Sequence, residues 1–389
     1  MRVLLIDTNF SSTPIYEYLL SLKHQVFTIG RNPQDFMAKS YSNYIEADYT
    51  DIETLKNTVK EYSIDRVVPG CNDYSYEVCC YLEGLTMNVD SIDKIHTLVN
   101  KKSFRAFGLE NGLPVPRVFN LDELKVNTLQ GPIIIKPSDS FSGKGVTRLD
   151  TYSARELDGA VNYAVSSSRD GSYVIEEFVE GQLYSHSAFI KNGVIVKDFL
   201  VEEYGSVNPF VVDTSYVNTD FSRDVHFEIN KDIERIVKLL KLSDGLIHTQ
   251  FILRDDKYWL IETTRRCPGD LYSQLIEIST GFNYSAMYAS FFVGEQLEVD
   301  SSVGSVIPVI RHTVTQDKSG IFDFLRFTES VEVMRYISIS VAGDYLHPSP
   351  GGRVGILFIN SDSEITRNTL VNQLIDRSVY QIKLVREAV

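Results

Sequence analysis

The sequence predicts an α/β fold that opens with a doubly wound parallel sheet and becomes α+β towards its C-terminus. Two observations predict it. Short apolar runs alternate with helical stretches through the first hundred residues, and the later apolar runs lie next to one another across short turns. Val3 to Ile6 reads as a strand, Thr13 to Leu22 as a helix with Pro14 in its first turn, and Gln25 to Ile29 as a second strand. Asp51 to Tyr62 is a further helix, and Asp65 to Val68 a strand closed by Pro69-Gly70. The turn after the first strand, Asp7-Thr8-Asn9-Phe10-Ser11-Ser12, lacks the glycines that let a backbone approach a pyrophosphate, which argues against a dinucleotide site there.

Lys101 to Gly112 reads as a helix ended by glycine, and the two prolines of "LPVPR" fix an extended connection after it. Strands follow at Ile133 to Lys136 and Val146 to Leu149, then a helix near Ser153 to Ser166. Further strands are expected at Tyr173 to Phe178, Tyr184 to Ile190 and Val194 to Val201, and a helix at Ile233 to Leu242. Leu246 to Leu253 pairs with Tyr258 to Thr263 across "RDDK". From about residue 296, strand-like segments such as Ser305 to Ile310 and Val354 to Ile359 alternate with turns.

At 389 residues the chain exceeds one small core, so two or three domains sharing a functional centre are expected. The formal charge of −14 argues against a nucleic-acid or anionic-membrane surface, so any anionic ligand must meet a local positive site. A charge ends the first apolar run at Asp7, too early for a signal peptide or membrane span, and a cytoplasmic location is expected. Cys71, Cys79, Cys80 and Cys267 form no CxxC pair and read as reduced thiols.

Three stretches can carry chemistry. In "IIIKPSDSFSGKGV", Lys136 ends a buried apolar run, where a cation is costly unless an anion meets it. The small residues around Lys144 suit a lid whose backbone approaches a polyphosphate, and equally a glycine-rich hairpin with solvated lysines. Gly145 follows Lys144 where a Walker loop has Ser or Thr. "VIEEFVEG" ends a strand with paired carboxylates, which fits base and ribose recognition or merely surface acids. In "HTQFILRDDKYWLIETTRR", a three-residue turn at Asp255 to Lys257 puts Gln250 opposite Glu262 on one face, beside Thr264, Arg265 and Arg266. Hard oxygen donors of this kind suit Mg²⁺, and an arginine beside them can neutralise a transferring phosphoryl group. An exposed, salt-bridged strand end is the alternative, although Tyr258 to Ile261 are all apolar. His248 reads as a structural hydrogen-bonder and not as a base.

In this order, these pieces resemble the ATP-grasp superfamily of carboxylate–amine ligases over roughly residues 1 to 290. "NKKSFRAFGLENGLPVP" looks like the entry to the grasp domain and "IIIKPSDSFSGKGV" like its second lysine and lid. "VIEEFVEG" looks like the adenine-reading strand, and "HTQF" with "IETTRRCPGD" like the metal hairpin. The glutamine variant is similar to carbamoyl phosphate synthetase, and "GLIHTQ" with "IETTRR" to the L-amino-acid (dipeptide) ligases.

The resemblance implies three parts: a Rossmann-like domain over residues 1–100, an ATP-grasp domain over 101–295 and a C-terminal lobe over 296–389. It implies ATP with Mg²⁺, or Mn²⁺ in its place, small-molecule carboxylate and amine substrates, and an assembly for which a homodimer is an option. Lys101, Lys136 and the lid residues Ser142, Gly143, Lys144 and Gly145 would hold phosphates. Glu176 would meet the adenine amino group, with Glu177, Phe178 and Val179 along the base. Gln250, Glu262 and Thr264 would form the metal site, and Arg266 would stabilise the reacting oxyanion. Arg265, Arg311 and Arg353 are candidate substrate anchors.

Two positions depart from the family pattern. Thr264 stands where asparagine is usual, and Leu183 where an acid commonly holds the ribose, for which Glu180 is the candidate substitute. A phosphotransferase that forms no amide, or a nucleotide-binding module without turnover, remain the alternatives at this point.

Overall fold

The computed structural model describes residues 1–126, 131–140, 143–299, 306–349 and 351–385. The N-terminal strands form a four-stranded parallel sheet in the order Tyr44–Glu46, Gln25–Gly30, Arg2–Ile6, Arg66–Pro69. Val3, Leu4, Leu5 and Ile6 are fully buried, because a parallel sheet is covered on both faces. Val3 and Leu5 join a core shared with the helix Tyr284–Val293, which comes from much later in the chain, and Leu4 and Ile6 face the opposite core. That helix is buried nearly all round, so it acts as mortar between the N-terminal sheet and the rest.

A small lobe follows. Thr147–Leu149, Ile133–Pro137 and Tyr173–Glu177 make a three-stranded antiparallel sheet, and the helix Ala154–Ser167 packs its Leu157, Ala160, Val161 and Ala164 onto it. Ser153 and Glu156 cap that helix reciprocally.

The largest sheet has eight strands, in the order Lys257–Thr264, Gly245–Arg254, Gln182–Lys191, Val194–Tyr204, Thr214–Val217, Val309–Thr315, Arg353–Asn360, Val333–Ser338. The helix Arg223–Leu240 covers one face through Val225, Ile229, Ile233 and Ile236, and the other face lines the cleft. Three of its strands lie beyond residue 306, so the sheet runs unbroken past residue 295 and the C-terminal segment completes it. The strand expected from Ser305 begins at Val309, and Ser305 itself lies outside the described residues. The C-terminal segment also contains a helix, Glu364–Ile375, where strands and turns were expected. Its apolar residues do not keep to one stripe: Leu370, Val371 and Leu374 are buried while Ile365 is 82% exposed.

Candidate active site

The three sheets enclose a cleft of about 1250 Å³. Two lysines lie at its heart. Lys101 opens the helix Lys101–Glu110, capped by Asn100, and its Nζ lies 2.8 Å from Glu262 Oε1 and 2.9 Å from the Ser140 carbonyl. Lys136, one residue before the end of its strand, places Nζ 3.0 Å from Glu176 Oε2. Both side chains are largely buried, so each cation needs the anion it faces.

Glu176 departs from expectation. Its carboxylate is fully buried and held between Lys136 and Arg105, whose Nε lies 2.7 Å from Oε1. Burial opposes its ionisation, yet Arg105 and Lys136 hold its carboxyl below the usual carboxylate range. The side chain therefore positions Lys136 and is not free to face an adenine amino group. Arg105 was not legible as a site residue, although it lies one helical turn after Lys101 on the same buried face.

Glu177, Phe178, Val179 and Glu180 continue along the cleft wall. Glu177 accepts from the Arg117 amide at 2.9 Å, and the Phe178 ring lies under the Arg148 guanidinium, 4.0 Å from its centroid. Glu180 is exposed, 3.6 Å from the same arginine, and Leu183 also lines the wall. Of the lid residues, Gly143 and Lys144 line the cleft, Gly145 packs against Pro137 and Ser167, and Ser142 lies outside the described residues. Gly145 has φ +78°, and a Cβ there would stand 2.5 Å from Pro137 and Ser167, so only glycine fits.

The hairpin supplies the oxygen donors by an unexpected route. Its turn has two residues, Asp255 and Asp256, both with positive φ, and Arg254 pairs with Lys257. That register alone would put Gln250 opposite Ile261. The ladder shifts between Gln250 and Phe251, Ile261 becomes the extra residue of a bulge, and Gln250 returns to face Glu262. The Ile261 carbonyl accepts from Arg105 at 2.8 Å, which satisfies a buried group at the bulge.

Gln250 Nε2 donates to Glu203 Oε2 at 2.7 Å, which brings a second carboxylate to the group. Glu203 is 4% exposed, and burial pushes its carboxyl up despite Ser185, Gln250 and Arg311. In sequence it is one acid of "VEEYG", and only the pairing of its strand with Gln182–Lys191 reveals its place. Glu262 opens into the cleft with its side chain 46% exposed. Its surroundings oppose its charge, and Lys101 and Lys136 hold its carboxyl below the usual range.

At the hairpin's end, Thr264 donates to Asp73 Oδ1 at 3.2 Å. Arg266 reaches the same carboxylate from Nε at 2.9 Å and from Nη2 at 3.3 Å. Asp73, from the N-terminal domain, is thus a site residue that sequence reasoning missed. Burial opposes its charge but Arg266 holds its carboxyl low. His248 is buried against Ser187 Oγ at 2.7 Å, and burial followed by the Arg266 charge pushes its imidazole down to about 3, so it stays neutral near pH 7.

Arg311 donates to Ser215 Oγ and the Asp270 carbonyl, both at 2.9 Å, and Arg353 pairs with the Asp270 carboxylate at 3.1 Å. Both line the cleft. Arg265 does not. It is 2% exposed, points away from the cleft, and is bound by Asp90 at 2.9 Å and the Ser243 carbonyl at 2.6 Å. The strand ends at Thr264, and the two arginines beyond it are claimed by different carboxylates, Arg265 by Asp90 and Arg266 by Asp73.

The cleft gathers two lysines, each facing a carboxylate, beside a carboxamide–carboxylate pair, and comparison with known proteins places it in context. Residues 129–274 match the ATP-grasp domain. The phosphoribosylamine–glycine ligase of Thermococcus kodakarensis is 23% identical over 299 residues, 68% of this chain and 67% of that enzyme. The L-amino acid ligase structure from Bacillus licheniformis superposes with a TM-score of 0.78 at 19% identity, covering 99% of both chains. The biotin carboxylase domain of Hydrogenobacter thermophilus 2-oxoglutarate carboxylase, solved with MgADP and bicarbonate, gives 0.78 at 14% identity over 99% of this chain and 91% of that one. Residues 129–274 thus match an ATP-grasp domain, and the chain as a whole shares the fold of these structures.

Proposed function

We propose that the chain is an ATP-dependent ligase that joins a small-molecule carboxylate to an amine, releasing ADP and phosphate. The observation that carries this reading is the clamp itself. Lys101 and Lys136 stand at cation-to-carboxylate distance from Glu262 and Glu176, with Gln250 and Glu203 beside them and Arg266 held by Asp73. No nucleophile is needed, because positioning and charge neutralisation suffice for phosphoryl transfer.

A substrate carboxylate oxygen attacks the γ-phosphorus and the β–γ bridging P–O bond breaks, giving an acyl phosphate and ADP. The amine nitrogen then attacks the acyl carbon, the C–O bond to phosphate breaks, and the amine's proton passes to solvent. Lys101, Lys136 and the backbone around Gly143 and Gly145 hold the phosphates, and Arg266 meets the developing charge. Arg311 and Arg353 are the cleft's candidate forks for a substrate carboxylate.

Glu262, Gln250 and Glu203 form a hard-oxygen set that fits Mg²⁺, with Mn²⁺ as its substitute. When bound, the ion neutralises charge on the phosphate oxygens. Asp73 stands where Thr264 leaves the usual set short of an oxygen donor. The reading is of a cytoplasmic enzyme of small-molecule metabolism, and no helix among the described residues is long and apolar enough to cross a membrane.

ADP release against a panel of carboxylates, with and without amines, tests the proposal. ADP and amide should form only when both partners are present, and both should vanish in Lys136→Ala. ADP release with one substrate and no amide would replace the ligase by a phosphotransferase, and nucleotide binding without turnover would reduce it to a binding module.

A further inference from the structure

On the face of the eight-stranded sheet turned away from the cleft, three metal-ligating side chains meet beneath the helix Arg223–Leu240. They are His186 on the strand Gln182–Lys191, Asp198 on Val194–Tyr204 and His226 in the first turn of the helix. Their ligand atoms all lie within 4.8 Å of one another. Both imidazoles address a single atom: His186 Nε2 lies 3.0 Å from Asp198 Oδ2, and His226 Nε2 contacts that same oxygen. Nothing in the ligase reading uses any of the three.

We infer that His186, Asp198 and His226 form a binding site for a divalent transition ion of the zinc type. Two imidazoles and one carboxylate favour such ions over Mg²⁺ or Ca²⁺, which prefer all-oxygen shells. Zinc ligands at about 2.0–2.2 Å in a tetrahedron stand roughly 3.3 Å apart, so small side-chain rotations close the observed cluster onto an ion. A fourth donor is at hand. The Asn230 amide, one helical turn after His226, approaches His226 Nε2 at 3.3 Å, and its Oδ1 is buried with no hydrogen-bond partner. A half-turn of that amide presents Oδ1 to the same centre.

Access and packing agree. The His186 side chain is sealed, while Asp198 and His226 are 19% and 34% exposed, so an ion enters at the rim and is held from below. Because the ligands come from two strands and the covering helix, a bound ion pins Arg223–Leu240, through His226, to two strands of the sheet. The role is structural, since the site lies across the sheet from the cleft.

The test uses the full chain, stripped with chelator and titrated with Zn²⁺ alone, without nucleotide. We expect one equivalent bound per chain by elemental analysis, a rise in melting temperature, and visible d–d bands when Co²⁺ replaces Zn²⁺. His226→Ala, a half-exposed position, should fold normally by circular dichroism, weaken Zn²⁺ binding by about 100-fold or more and lose the Co²⁺ bands. Glu262→Gln, which alters only the cleft, should keep all three signals. No stoichiometric uptake by a folded wild-type chain would overturn the inference and leave a hydrogen-bonded His–Asp–His cluster. Uptake unchanged in His226→Ala but lost in Glu262→Gln would equally overturn it and assign the zinc to the cleft.

Discussion

Two lysine–carboxylate contacts share one cleft at nearly equal distances, 3.0 Å for Lys136–Glu176 and 2.8 Å for Lys101–Glu262, yet their surroundings differ. Glu176 is wholly enclosed and holds a second cation, Arg105, whereas the Glu262 side chain is 46% exposed to the cleft. In a low-dielectric interior, losing one member strands a charge, so Glu176 and Arg105 belong to the scaffold that positions Lys136 at the cleft. An open pair is weakly bound and exchangeable: phosphate oxygens can take Lys101 while a cation takes Glu262. Distance alone does not separate a strut from a working part; solvent access does.

The strongest attempt to break this contrast is Glu176→Ala. It should lower stability by about 3–5 kcal/mol, measured by urea unfolding, because Arg105 and Lys136 are left facing each other. Glu262→Gln should do the reverse, with activity falling about 100- to 1000-fold while stability shifts by about 1 kcal/mol or less. Similar stability losses in both variants would refute the distinction.

Asp73→Asn sharpens the open side. It keeps shape but removes the charge that orients Arg266 and Thr264, and apparent Mg²⁺ affinity in the ADP-release assay should drop about 10- to 100-fold. The smallest effect is a pH dependence. Because the folded protein holds Glu176 below its ordinary value of 4.5, its contribution is present above that pH and lost as pH falls through the folded value. The gap in urea midpoint between wild type and Glu176→Gln should therefore be steady above 4.5 and close below it. For Glu262→Gln the gap should stay small throughout.

Much of the fold was readable because its strands are continuous apolar runs, as at Val3 to Ile6 and Ile133 to Ile135, and burial on both faces leaves little ambiguity. The Gln250–Glu262 pairing was read correctly through two offsetting errors: the turn is one residue shorter than expected, and the bulge at Ile261 restores the register. Turn type depends on positive φ at Asp255 and Asp256, which aspartate permits but does not announce. Arg105, Asp73 and Glu203 were missed for a different reason. Each is an ordinary polar residue in its own segment and gains its role only where another part of the chain meets it. Arg265 turns from the cleft because Asp90, distant in sequence, claims its guanidinium, and Glu176 is likewise claimed by a partner, Arg105, that strand spacing does not reveal.

The neighbouring arginines carry one more consequence. Arg265 grips Asp90 and Arg266 grips Asp73, both at 2.9 Å, and both aspartates come from the first hundred residues. A fragment beginning at residue 101 would therefore leave the Arg265 guanidinium without its counter-ion and a site arginine free to swing. The half of this chain that carries the two lysines is not a portable cassette. Any recombination that exchanges the N-terminal domain must deliver both aspartates in place, or the hybrid loses its footing and its chemistry in adjacent residues.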